Sequence, residues 1–337
     1  MNTEQLLEKL PKAELHLHIE GTLEPELKFE LARRNGIELP YDSPEAVRES
    51  YNFTDLTSFL VGYYESMQLL LTEQDFYDLA MAYFRRVARD NVRWAEIFFD
   101  PQGHTGRGVP FDTVIRGLRR AQLDAEKLLG VGSGLIMCFL RDYQPEYAMA
   151  TLLESLPYKA WILGVGLDSD ERDNPPSKFA AVYERARQEG YLLTAHCDVD
   201  QENSIENIRF ALTEMEVDRI DHGTNVVEDP ELVEELKRRK VGLTCCPISN
   251  TWVSDSSKTD LIKQLMDAGV QVTINSDDPA YFNGYVGDNL ALMVREQNLT
   301  PAELVTLVRN SVEISWAPPR VREAMLAEIE EVSAGQV

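Results

Sequence analysis

The chain has 337 residues, 44% hydrophobic and 27% charged, which is ordinary for a globular enzyme and ample for a large core. A formal net charge of -24 argues against nucleic acid and anionic membrane as partners and mainly serves solubility. No apolar run approaches the length of a membrane span.

Short apolar runs alternate with longer amphipathic ones. Strand-like runs fall at 14–19, 94–99, 134–140, 162–167, 192–196, 219–222, 242–246 and 270–275. Helical patterns precede the second run at 56–71 and 76–89, then follow at 111–129, 146–155, 178–189, 202–215, 230–239 and 258–268. Residues 287–332 read as terminal helices, with Pro301 and Pro318 as first-turn prolines. Eight strands alternating with helices predict an α/β fold, a (β/α)8 barrel in one domain spanning 1–337. The stretch 22–72 is too long for one crossover and is expected to place extra helices over the barrel mouth. The first ten residues lack a signal pattern. The four cysteines, Cys138, Cys197, Cys245 and Cys246, show no C-x-x-C spacing and read as buried, so a reduced, cytoplasmic protein is expected. Barrel enzymes commonly assemble, so a homo-oligomer fits the chain, although no interface is legible.

In such a barrel the chemistry sits at the C-terminal ends of the strands. Four of the five histidines fall there: His16 and His18 on the first strand, His196 on the fifth and His222 on the sixth. His104 lies just past the second strand and reads as a pocket-rim residue. His16 and His18 are two apart, so they point the same way. Asp277 and Asp278 end the eighth strand. His16, His18, His196 and Asp277 together read as one metal site that activates water at neutral pH. Zinc suits this donor set, and manganese and iron accept it as well. The aromatics Phe53, Phe59, Tyr63 and Tyr64 read as helix packing in preference to a lid lining.

The segments P-K-A-E-L-H-L-H-I-E-G-T-L (11–23), E-I-F-F-D-P-Q (96–102), F-L-R-D (139–142), V-G-L-D-S (165–169), R-I-D-H-G (219–223), C-P-I-S-N (246–250) and N-S-D-D-P-A-Y-F (275–282) resemble the adenosine/adenine deaminase family of the amidohydrolase superfamily. They are closest to its adenine deaminase branch, which Glu20 also fits. The resemblance covers nearly the whole chain. It implies a metal-dependent hydrolase barrel that deaminates a purine-like base. One zinc per subunit would be held by His16, His18, His196 and Asp277. His222 would orient and deprotonate the attacking water, and Asp277 would share that proton. Asp278 would hydrogen-bond N7 of the ring, and Asp168 and Ser169 would meet its N3 side, with Glu20 also in the substrate site.

One motif departs from the family pattern. After the third histidine the family reads H-A-G-E, with the Glu donating a proton to the ring. Here the positions read His196, Cys197, Asp198, Val199, and valine donates nothing. Asp198 or Asp200 takes the role, or the substrate is a different ring or leaving group, or the scaffold binds a purine without turning it over. Strand alternation puts both Asp198 and Asp200 on the His196 side, while Asp200 or Asn203 also suits a helix cap. Cys197, on the opposite side from His196, reads as core.

Overall fold

The computed structural model describes residues 2–197 and 201–335. Its frame is eight strands in the order of the sequence, each parallel to its neighbours. They are β1 (Lys12–His18), β2 (Val92–Phe99), β3 (Gly132–Leu140), β4 (Ile162–Asp168), β5 (Leu192–Cys197), β6 (Arg219–His222), β7 (Gly242–Cys245) and β8 (Val272–Ile274). The bridge between Leu17 and Asp277 brings β8 back to β1 and closes the ring. The amide of Asp277 donates to the carbonyl of His16 and the amide of His18 to that of Asp277, at 3.1 and 3.0 Å. Three candidate metal-site positions, His16, His18 and Asp277, are therefore also the seam of the barrel.

The strands are covered on both faces, which is why they read as near-continuous apolar runs. Several helix ends carry recognisable caps. Asp55 and Thr72 form capping boxes ahead of Leu56–Met67 and Glu73–Arg89. Gly130, in the left-handed region at φ 69°, ends Phe111–Leu129. Between β1 and β2 come the extra helices Pro25–Asn35, Pro44–Ser50 and Leu56–Met67, and the last of these crosses the barrel mouth. The terminal helices are Val286–Gln297, Pro301–Glu313 and Pro319–Ser333. Pro319, not Pro318, holds the first helical position there, and Pro318 is the cap. No helix among the described residues is long and apolar enough to cross a membrane.

Candidate active site

His16 and His18 come from β1 and His196 from the end of β5, and Asp277 follows β8. Their nearest nitrogens and oxygens all lie within 4.8 Å of one another. His18 Nε2 stands 3.1 Å from His196 Nε2, and Asp277 Oδ1 stands 3.3 Å from His16 Nε2 and 3.4 Å from His18 Nε2. His16 Nε2 is buried and has no hydrogen-bond partner among the described residues. Three imidazole nitrogens and one carboxylate oxygen thus cluster within 4.8 Å of one another. That donor set fits a divalent metal. Burial and the neighbouring imidazoles hold His196 well below its usual pKa, so it is neutral and able to ligate. Burial opposes charge on Asp277, yet His16, His222 and His18 together hold its carboxyl well below the usual range. Phe98 packs against His16, His18 and His196 at centroid distances of 5.0, 5.0 and 5.4 Å and seals the floor.

The rear nitrogens are held by residues that sequence reasoning overlooked. Asp221 Oδ2 lies 3.4 Å from His196 Nδ1 and its Oδ1 3.9 Å from His16 Nδ1, while Thr244 Oγ1 is 2.9 Å from His16 Nδ1. Thr194 and Thr244 each donate to Asp221 at 2.8 Å, so this carboxylate is fixed from both sides. Its one signal in the sequence is an acid directly before His222, which reads equally well as a surface residue. Behind His18, Asp168 Oδ2 lies 3.4 Å from Nδ1.

His222 places Nε2 3.8 Å from Asp277 Oδ2. Burial, then the charge of His16, pushes it down to about 3, so at neutral pH its ring is uncharged. His222, Asp277 and Ser169 all take left-handed backbone, at φ 61°, 64° and 74°. Non-glycine residues held there are strained, and here the strain re-aims side chains at strand ends. Burial, then the charge of Asp277, raises Asp278 well above the carboxylate range. Gly21 is obligatory beside it: a Cβ there would lie 1.9 Å from Asp278 Oδ1.

A cavity opens above these groups. Asp168, Ser169 and Asp278 border it, as does Asp100 at the end of β2, another acid the sequence reading passed over. Phe59, Tyr63 and Tyr64 also border it, which corrects their reading as packing alone: aromatic spacing on a helix looks the same against a core and over a pocket. Phe53 does pack, against Phe59 and Trp252. Glu20 stands behind the wall and not on it: its Oε1 accepts from the Asp100 amide at 3.2 Å and lies 2.9 Å from His104 Nε2. His104 is therefore a buried support and not a rim residue. Cys197 packs in the core as expected. Cys246 lies beyond β7, close to His222 and Asp277, and burial keeps its thiol protonated. Asn203 precedes the helix Ser204–Thr213 without a capping bond from its side chain. Asp198, Val199 and Asp200, on which the proton-donor reading turns, lie outside the described residues.

Residues 11–332 match the family model described as adenosine deaminase. The chain is 49% identical to an adenine deaminase of Acinetobacter baylyi, over 98% of its own length and 100% of that protein. Among solved structures it is similar to the adenine deaminase of Arthrobacter aurescens, with a TM-score of 0.93 and 45% identity over 97% of this chain and 100% of that one. An amidohydrolase from Burkholderia ambifaria with bound zinc matches at a TM-score of 0.88 and 25% identity, covering 98% of this chain and 93% of that one. The chain belongs to the adenosine deaminase family and is a hydrolytic deaminase built on an eight-stranded barrel.

Proposed function

We propose that the protein is a zinc-dependent aminohydrolase that releases ammonia, or a substituted amine, from adenine or a modified adenine. The observation that carries this is the convergence of three imidazoles and Asp277 on one point beside a cavity bordered by Asp278. Near-half identity to adenine deaminases along the full chain supports the choice of base, and the zinc in the Burkholderia amidohydrolase supports the choice of metal. His16, His18, His196 and Asp277 would hold the ion, which, when bound, lowers the pKa of water from about 16 to about 7.

The chain's own residues do the rest. His222, neutral and beside Asp277, accepts a proton from the attacking water at Nε2 and orients it towards the ring carbon that bears the amine. Asp277 shares that proton. Asp278, kept protonated by burial and by Asp277, donates to the lone pair of N7. Asp168 and Ser169 meet the N3 side. The aromatic helix over the mouth keeps bulk water away. The ring nitrogen next to the attacked carbon needs an acid, and with valine at 199 we assign that role to Asp198, with Asp200 next in line.

The test is ammonia release from a purine panel by the zinc-loaded protein, repeated with Asp198→Asn. Adenine or an N6-substituted adenine should be turned over, and the variant should lose about 10²–10⁴-fold in turnover with its zinc retained. Wild-type rates in Asp198→Asn would transfer the acid to Asp200. The changed donor position also favours a second reading, a silent purine-binding protein. That reading wins if no purine releases ammonia while several raise the melting temperature.

A further inference from the structure

The acids around the cavity outnumber the tasks given to them. Asp278 is matched to N7, and Asp168 with Ser169 to N3. Asp100 has no role in that scheme, yet it borders the cavity and is 1% exposed. Its Oδ2 accepts from the Tyr63 hydroxyl at 3.2 Å, and its backbone amide donates to Glu20. Its Oδ1 is buried without a hydrogen-bond partner among the described residues. A buried, unpaired carboxyl oxygen on a cavity wall is costly unless a ligand supplies a donor.

The purine perimeter says which donor that is. Going round the ring away from the amine-bearing carbon, the atoms run N7, C8, N9, C4, N3. If Asp278 meets N7 and Asp168 meets N3, N9 lies between them. Asp100 is the acid that interacts with both flanking carboxyls: it lies within 4.8 Å of Asp168, and its charge is felt by Asp278. In a free base with its hydrogen on N9, that atom is a donor. In a nucleoside or nucleotide it carries a sugar and donates nothing.

We propose that Asp100 is a specificity-determining residue that accepts the N9–H of a free purine base and so rejects N9-substituted purines. The inference rests on the purine reading above. Two features of the mouth agree with it. Tyr63 docks on Asp100 and Tyr64 donates to Ser169 Oγ at 2.8 Å, so the helix over the cavity is fastened along the very edge where a sugar would leave. Glu20 and His104 brace Asp100 from behind, so it does not swing aside.

The experiment compares adenine with 9-methyladenine on the zinc-loaded protein, in wild type and in Asp100→Ala and Asp100→Asn. Wild type should favour adenine by about 10³-fold or more in kcat/KM, because a site built for an N–H rejects the analogue lacking it. Asp100→Ala should raise the KM for adenine by about tenfold or more, leave metal content unchanged and narrow the adenine preference. Asp100→Asn, which keeps an acceptor, should recover part of both. Equal use of the two bases by wild type overturns the proposal. So does a parallel loss on both bases in Asp100→Ala, which would mark a purely structural acid. So does a second metal per chain lost with Asp100. If no purine is turned over, the deaminase reading fails by itself. The same comparison then runs on binding by calorimetry, where indifference to the N9 methyl still overturns the role of Asp100. If the variants do not fold, the wild-type preference decides.

Discussion

Asp221 does not line the cavity, yet it stands behind two of the proposed metal residues. An imidazole that ligates through Nε2 must carry its proton on Nδ1, and a carboxylate behind Nδ1 fixes that tautomer. Asp221 faces the rear nitrogens of both His16 and His196, and two threonine hydroxyls leave it little freedom to turn. Asp221→Asn keeps the shape and removes the charge. Zinc affinity, measured by competition with a chelator, should fall by about 10–100-fold while the fold persists. Unchanged affinity would mean that Thr244 alone orients His16 and that His196 needs no partner. The same scale shows what a sequence hides. His16 and His18 were legible because a spacing of two puts both on one face of a strand, at the end of the barrel where His196 and Asp277 also fall. Asp221 and Asp100 were not, because a lone acid at a strand end looks like a surface residue until the barrel closes around it.

Among elements, the strands were easier to find than the roles of the helices. Residues 219–222 were expected as a strand and form one, and the other seven differ only at their ends. Parallel strands buried on both faces leave little to misread. The extra helices were expected over the mouth, but which of their side chains face the cavity depends on tertiary rotation, which periodicity leaves open. Lys28 shows how these helices are tied down. On Pro25–Asn35, its ammonium donates to the Tyr51 hydroxyl at 2.7 Å and lies 4.3 Å above the ring of Tyr281, three residues beyond Asp278. Burial pushes its pKa down from 10.5 to about 7, with Glu24 opposing. Between those values the unfolded chain holds a proton that the folded chain has released, so stability rises as pH climbs from about 7 towards 10.5. Below pH 7 the cost of the buried cation is present in full. Chemical denaturation at pH 7 and pH 10 should show wild type gaining ~2–4 kcal/mol relative to Lys28→Met. Parallel pH profiles in the two proteins would place the ammonium in water.

At the level of the whole molecule, the barrel separates chemistry from cohesion along its axis. The proposed metal residues occupy the C-terminal strand ends, and a buried ion pair lies towards the opposite end. Arg219, the first residue of β6, bonds through Nη1 to Glu96 of β2, joining strands that are not neighbours in the sheet. Glu96 Oε1 also accepts from the Trp94 indole at 2.9 Å and from the backbone amide of Trp316 at 2.5 Å. The Trp316 ring lies 3.9 Å from the guanidinium carbon of Arg219. One carboxylate therefore ties two strands and the segment between the last two helices into a single plug. A buried pair adds little over an apolar core of equal volume, but removing one partner leaves the other charge stranded. Glu96→Ala should therefore cost ~3–5 kcal/mol in urea unfolding, whereas the zinc stoichiometry of the folded fraction should not change. A loss under about 1 kcal/mol would show that water reaches Arg219 and that the plug is open. A loss of zinc without a loss of stability would show that the two ends of the barrel are coupled. That outcome would contradict the division of labour by which the strained C-terminal strand ends answer to chemistry and the packed N-terminal ends to folding.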